Sequence, residues 1–489
     1  MSLSLLHLIL PLLLPLLLLY IRSNDRKIAR LPINAQAFSP IRLQPADVRA
    51  ADANYSPKSI TDKIPPKTGR RYIVVGGGGF LGGWIVFQLL ERGEEPTHIR
   101  ILDLHPPSRN DFATGPASNV PFIKVDISDR DALHAAFIAS WPDSPDSFPE
   151  LTVFHTAANI RFYERHPALV GRSARVNVQG TQNVVDAARA AGASVLVYTS
   201  SGSVCVRRTR LWLWPWQREP PFFVQVINDA DTTIFPKHHH QFFSNYSLTK
   251  TQAERIVRAT DKSPTAKGGA IRTGCLRPGN GIFGPGDMLC HAYLRRTTNI
   301  TWAANTLQSF VYVENVACAH LLYEQRLIDL ASPAHTNPDI GGQAFVITDP
   351  GPPITFGDLY TVLETLTEGK THFTRLSATM MMFISYLIEM YHVTREVSFA
   401  KIPLLRNVMS PIVGDTINLQ PPLFFLTLVH LFFDDSRARL PPEKGGLGYQ
   451  GAWTSIEGLH KTVREHQKGF DDNHNSGSGG VDFKFFRRT

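Results

Sequence analysis

The run Gly76-Gly77-Gly78-Gly79-Phe80-Leu81-Gly82-Gly83 constrains this chain more than any other feature. It lies between a β-type apolar run at 72–75 and a helix-type run at 80–92. Gly76, Gly79 and Gly82 have the spacing G-x-x-G-x-x-G. Such glycines let a strand turn sharply, let a pyrophosphate reach the backbone, and let the helix pack close on the strand. The helix start then offers free N–H groups and a positive dipole end to the phosphates. Four glycines alone could be a flexible loop; with a strand before and a helix after, they form a dinucleotide site. Phe80 and Leu81, inside the turn, join the three glycines as cofactor-binding candidates.

The alternation continues. Strand-like runs at 99–102, 122–125, 151–155, 195–199 and 271–276 are separated by helix-like stretches such as 130–140, 176–191 and 248–259. That order predicts an α/β fold, a Rossmann doubly wound parallel sheet. After residue 277 the alternation loosens into Gly/Pro-rich loops at 279–286 and 350–353, then a very apolar stretch at 380–433. This region is expected to be a smaller C-terminal substrate-binding lobe. The expected domains are a transmembrane anchor at 1–21, a flexible tether at 22–69 and an NAD-binding Rossmann domain at 70–276. The lobe covers most of 277–470, with some segments returning to the Rossmann core, and 471–489 form a disordered tail.

The N-terminal anchor rests on residues 3–21, apolar except for Ser4, His7, Pro11 and Pro15. About 20 such residues cross a bilayer. The two prolines leave an interfacial or re-entrant segment open as well. Arg22, Arg26, Lys27 and Arg30 follow directly, and basic flanks prefer the cytoplasmic side. The expected location is a membrane, that of the endoplasmic reticulum, with the catalytic domain facing the cytosol. The net charge of +8 fits an anionic membrane surface or scattered solubilising charge equally well. No basic–aromatic cluster suited to reading bases is present, so no nucleic-acid partner is expected. The four cysteines, Cys205, Cys275, Cys290 and Cys318, form no CxxC pair and suit a reducing compartment.

Asp103 ends the second strand, where a carboxylate binds the adenosine ribose and repels a 2′-phosphate. NAD is therefore expected, with NADP not excluded, since Arg109 is close enough in sequence to reach a phosphate. Asp126, after the third strand, is placed to meet the adenine or to cap an ordinary turn. Tyr246-Ser-Leu-Thr-Lys250 puts a phenol and an ammonium on one helix face. The ammonium favours the phenolate, giving a general base for an alcohol proton. The pair follows the strand at 195–199, whose end carries Ser200 and Ser201. Ligands of doubly wound sheets sit at such strand ends. Ser201, Tyr246 and Lys250 are the expected catalytic residues.

These residues resemble the extended short-chain dehydrogenase/reductase family over about residues 71–465. Asp126-Ile127, His155-Thr156-Ala157-Ala158 and Asn177-Val178-Gln179-Gly180-Thr181 match its motifs, although Val75 stands where a threonine is usual. Within it the chain is most similar to the 3β-hydroxysteroid dehydrogenase/isomerase group, including the sterol-4α-carboxylate 3-dehydrogenases. The matching residues are Tyr198-Thr199-Ser200-Ser201, Leu276-Arg277-Pro278, the 281–287 and 310–317 motifs, and Leu447-Gly448-Tyr449. The resemblance implies that Ser201 polarises the substrate oxygen and that Tyr246 is the acid/base. Lys250 would lower the Tyr246 pKa and bind the nicotinamide ribose. Ile127, Ala157, Ala158, Asn177 and Pro278 would line the cofactor.

The implied reaction is oxidation of a 3β-hydroxyl on a sterol-like lipid, with loss of CO₂ if the adjacent carbon carries a carboxylate. Alternatives are a reductase of another apolar alcohol in secondary metabolism, or a non-catalytic NAD-binding scaffold. Expected partners are a hydrophobic small molecule and membrane lipid; a homodimer stays open. The chain departs from the family between Ser201 and Tyr246, where an insertion carries Arg207, Arg208, Arg210, Trp212, Trp214 and Trp216. It fits a membrane interface, a lid or a packed surface loop. His238-His239-His240 lacks helical metal-ligand spacing, so no metal is expected.

Overall fold

The computed structural model describes residues 3–475 except 57, 108, 143–148, 230–237, 333–335, 401 and 403–407, with backbone alone for 3–12 and 470–475. Seven strands form one sheet. In spatial order they are Ala344–Ile347, Arg272–Pro278, Val195–Thr199, Leu151–His155, Arg71–Val75, Ile99–Asp103 and Phe122–Lys124. Every neighbouring pair is parallel. Leu151–His155 and Val195–Thr199 are buried at every position, so they read as continuous rather than alternating apolar runs.

The period of two decides which helix each side chain meets. Tyr72 and Val74 face Phe80–Glu91 and Val313–Asp329. Ile73 and Val75 face the other layer, built from Arg130–Ile138, Thr181–Ala191 and Asn245–Ala259. Each buried Val, Leu or Ile stabilises the sandwich by about 1.5–3 kcal/mol. The chain runs outward from Arg71–Val75 to Phe122–Lys124, then returns to Leu151–His155 and runs the other way. Beyond the strand ends at this reversal lies the crevice where doubly wound sheets bind ligands.

A second core belongs to the lobe. Its four-stranded sheet has the order Ile354–Thr355, Leu307–Gln308, His430–Phe433, Val224–Ile227. Val224–Ile227 comes from the insertion between Ser201 and Tyr246, which therefore contributes to the lobe. Conversely, Ala344–Ile347 leaves the lobe region to close the edge of the main sheet.

The stretch 22–69 is not the flexible tether the prolines suggested. The N-terminal helix, Leu3–Ile28, runs past the expected boundary at residue 21. Asn24 donates to the Leu211 carbonyl (3.1 Å) and to Thr379 (3.0 Å). Asp25 accepts from the Thr379 backbone (2.8 Å) and hydroxyl (2.6 Å). Arg42 pairs with Asp358, and Ile28, Val48 and Ile60 are buried in the lobe core. A few well-spaced apolar and polar anchors dock the segment without any sustained period. The tail also departs from expectation, since the helix Ser455–Asn475 carries through 471–475; residues 476–489 lie outside those described. Among the described residues, no helix is long and apolar enough to cross a membrane. The side chains of 3–12, which carry half of the expected span, lie outside those described.

Candidate active site at the carboxyl edge of the sheet

The glycine turn is built by close approach. Gly76 adopts φ +86°, and a Cβ on it would lie 2.6 Å from the Ala157 nitrogen. A Cβ on Gly82 would lie 2.2 Å from the Gly76 carbonyl oxygen. Gly79 caps the helix Phe80–Glu91 without a side chain, so its N-terminal N–H groups face the turn. Thr156 ties the next strand end to the turn by donating to the carbonyls of Val75 (3.0 Å) and Gly76 (3.2 Å). Ala157 is thereby held over Gly76. Asp103 accepts from the Gly78 N–H (3.1 Å), which sets its carboxylate at the rim of the turn. Burial raises its pKa, against the pull of these backbone bonds. These features fit a dinucleotide: a backbone cradle that any Cβ would fill, a helix start and a carboxylate at its rim.

Other expected cofactor residues take different places. Asp126 accepts from the Ser128 N–H (2.8 Å) and lies 3.5 Å from the Arg175 guanidinium. Ile127 packs on Gly180, where a Cβ would come within 2.7 Å of it. Asn177, expected to line the cofactor, is buried and its side chain is also used internally. Its oxygen accepts from the Asn159 N–H (2.7 Å), and its amide donates to the Asn159 carbonyl (3.1 Å) and to Thr249 (3.0 Å). It braces the loop after Leu151–His155 against the helix carrying Tyr246. Arg109 is held by Asp111 and lies over the Trp84 ring (4.1 Å), so its own contacts point away from a phosphate role. Pro278 ends its strand opposite Ile347 and is buried.

Ser201, Tyr246 and Lys250 converge at this edge. Ser244 starts the helix Asn245–Ala259 by accepting from the Ser247 N–H (3.3 Å). Ser247 donates to the Ser203 carbonyl (2.8 Å), pinning the helix to the turn that carries Ser201. The Ser201 hydroxyl bonds that of Ser203 (2.8 Å). Burial pushes the Tyr246 phenol up to about 12, and the influence of the nearby Ser201 hydroxyl offsets only part of this. Burial also pulls Lys250 down to about 7. Its ammonium donates to the Thr199 carbonyl (2.6 Å) and lies 4.2 Å from the Tyr198 ring centroid. The expectation that Lys250 lowers the Tyr246 pKa is thus not met by the protein's own groups, because the ammonium is spent on the strand end.

Beneath this layer is a network the sequence reading missed. Ser200 donates to Glu254 (2.5 Å), and Arg277 binds the same carboxylate through two nitrogens (3.0 and 2.5 Å). Burial alone would raise Glu254, yet the Arg277 guanidinium holds it below the ordinary carboxylate range. Thr199 bonds His320 (2.7 Å). The available signal was simple: Tyr246, Lys250 and Glu254 continue one i, i+4 stripe. The motif residue Asn315 also gains a reason. Its oxygen accepts from the N–H groups of Ala452 (2.8 Å) and Trp453 (3.2 Å), and its amide donates to Asp349 (2.7 Å). It locks the late chain to the start of the helix Val313–Asp329.

The fold and the glycine cradle define a Rossmann-type, doubly wound protein with a dinucleotide-binding turn. The model of the 3-beta hydroxysteroid dehydrogenase/isomerase family matches residues 73–377, and the chain belongs to that family. It is 28% identical over 411 residues to an Arabidopsis thaliana 3beta-hydroxysteroid-dehydrogenase/decarboxylase, covering 81% of this chain and 62% of that protein. It is 30% identical over 294 residues to a Candida albicans sterol-4-alpha-carboxylate 3-dehydrogenase, decarboxylating, covering 57% and 70%. The chain thus spans less than two thirds of the first relative's length. In structure it resembles a Thermotoga maritima UDP-glucose 4-epimerase (TM-score 0.51, 18% identity, 82% of this chain and 99% of that one). A short-chain dehydrogenase/reductase superfamily protein from Agrobacterium tumefaciens gives 0.50 at 19% identity, covering 83% and 100%. These two likenesses concern the fold alone.

Proposed function

We propose that the protein oxidises the 3β-hydroxyl of a sterol-like lipid with NAD. The observation that carries this reading is Ser201, Tyr246 and Lys250 brought to one strand edge beside the glycine cradle and under an apolar lobe. Ser201 holds the substrate oxygen by hydrogen bonding. Tyr246 takes the hydroxyl proton, and Lys250 fixes the geometry of the strand end. NAD, when bound in the cradle, supplies the hydride acceptor for the carbinol carbon. Gly76, Gly79 and Gly82 would hold its pyrophosphate and Asp103 its ribose, which favours NAD over NADP. If the neighbouring carbon bears a carboxylate, the product is a β-keto acid. Its C–C bond then breaks towards the ketone and releases CO₂ without another catalytic residue. The relatives named as decarboxylating support this branch.

We also infer the domain plan of an anchor, a docked connector, a Rossmann domain at 70–276 and a lobe over most of 277–470. The membrane reading is supported by exposed apolar side chains on the N-terminal helix, including Leu14, Leu16 and Leu19. Trp214 and Trp216, stacked at 5.3 Å, lie close by, since Lys27 donates to the Pro215 carbonyl (2.8 Å). Arg22, Arg26 and Lys27 suit anionic headgroups, and an endoplasmic reticulum membrane with the catalytic domain in the cytosol fits a membrane-dissolved substrate. The test is turnover of 3β-hydroxysterols, with and without a 4-carboxyl group, on NAD and on NADP. Reduced cofactor and product mass are the readouts. Retained wild-type turnover in Tyr246→Phe would sink the assignment.

A further inference from the structure

Lys250 is a buried cation. Among the described residues, no carboxylate forms an ion pair with it. Glu254, one turn along the same helix, is taken by Arg277 (2.5 Å) and Ser200 (2.5 Å). A charge removed from water needs compensation inside the site. The Thr199 carbonyl meets one N–H (2.6 Å). The ammonium also stands against the Tyr198 ring, 4.2 Å from its centroid. That is within reach of a cation–π attraction, which strengthens where water is excluded.

The strand produces this contact. Tyr198 and Thr199 are consecutive, so their side chains leave opposite faces of the sheet. Thr199 turns to His320, and Tyr198 turns to the layer that holds the helix Asn245–Ala259. His155 stands opposite Tyr198 in the parallel register and packs on its ring at 5.1 Å. The titratable groups around the ammonium are uncharged at neutral pH, apart from Glu254 with its partner Arg277. Burial, together with the Lys250 charge, pulls His155 down to about 3. Burial holds the Tyr198 phenol and the Cys275 thiol well above their ordinary values, and Tyr246 at about 12. An ammonium carries three donors. Thr199 takes one, and a ring face attracts the charge without accepting an N–H as a carboxylate would. The other donors stay available to hydroxyls at the strand edge.

We propose that Tyr198 is a positioning residue whose ring stands in for a counter-ion, keeping Lys250 charged and fixed at the strand edge. The inference rests on the dehydrogenase reading above and adds a residue to the same site. A carboxylate in place of the ring would hold the ammonium tightly and draw it away from the cofactor ribose. The ring holds the charge and leaves its direction to Thr199.

The test is a titration of the Lys250 side chain by NMR, in the full chain labelled with ¹³C at lysine Cε. The signal is assigned by its loss in Lys250→Met. Tyr198→Phe keeps the ring and should leave the midpoint and kcat/KM near those of the wild type. Tyr198→Leu should move the midpoint down by about one pH unit. It should also lower kcat/KM for a 3β-hydroxysterol at neutral pH about 3- to 10-fold. An unchanged midpoint in Tyr198→Leu overturns the proposal. If that variant fails to fold, pentafluorophenylalanine introduced at position 198 decides, because it keeps the shape of Phe and reverses the charge pattern of the ring face. A midpoint equal to that of Tyr198→Phe then overturns the proposal, and a lower one supports it. A wild type that turns over no sterol, with the midpoint still falling in Tyr198→Leu, overturns the dehydrogenase reading and leaves the hold of the ring on Lys250 standing.

Discussion

At the scale of single residues, the site depends on atoms that leave no room. Gly82→Ala puts a methyl group 2.2 Å from the Gly76 carbonyl oxygen, a contact that only a backbone shift relieves. We expect a stability loss of about 1–3 kcal/mol together with weakened NAD binding, read by thermal denaturation and a cofactor titration. Tyr246 has a testable pH signature. Its phenol is held up at about 12, and oxidation needs it deprotonated. Below that value the phenolate fraction gains about tenfold per pH unit. kcat/KM for oxidation should therefore rise with pH through the alkaline range, while reduction of the ketone, which needs the protonated phenol, should stay flat until the pH nears that value. A flat oxidation profile would contradict Tyr246 as the base.

Secondary-structure elements bring in a layer that single motifs do not reveal. The helix Asn245–Ala259 places Tyr246, Lys250 and Glu254 on successive turns of one face, and Glu254 meets Arg277 from the adjacent strand. Glu254→Gln would leave Arg277 buried without its counter-charge, which costs about 3–5 kcal/mol. Chemical denaturation measures that loss. The sign of its pH dependence follows from the lowered Glu254 pKa. Its contribution is complete above the ordinary carboxylate range and fades as pH falls through the depressed value, so the wild type should lose stability in acid faster than Glu254→Gln. The strand Val224–Ile227 shows a second effect at this scale. The insertion read as a lid, interface or loop is in part a lobe strand paired with His430–Phe433.

For the whole molecule, the N-terminal segment is divided by its contacts. Leu13 to Leu19 are exposed, whereas Asn24, Asp25, Ile28 and Arg42 are tied to the lobe. Deleting residues 1–19 should leave the melting temperature nearly unchanged but abolish co-flotation with anionic vesicles. Deleting residues 1–44 should lower the melting temperature, because Ile28 leaves the core and Asp358 loses Arg42. Equal melting of the two truncations would show the connector to be a true tether. Trp214→Ala with Trp216→Ala should weaken vesicle binding without altering the fold, since both rings are exposed.

The amino-acid sequence determined the local chemistry. Backbone needs are written in residue type, so the glycine turn at Gly76–Gly82 was legible, as were the strand–helix alternation and the Tyr246–Lys250 face. Each follows from near neighbours along the chain. Partners far apart in sequence were not legible. Arg277 with Glu254, Thr199 with His320, Asn24 with Leu211 and Arg208 with Phe425 are joined only when strands and helices pack. The electrostatics belong to that second category as well. A Y-x-x-x-K spacing predicts a lowered tyrosine pKa, but burial and the Thr199 carbonyl decide where the lysine's charge is spent. Such energies depend on three-dimensional surroundings, which tertiary structure alone supplies.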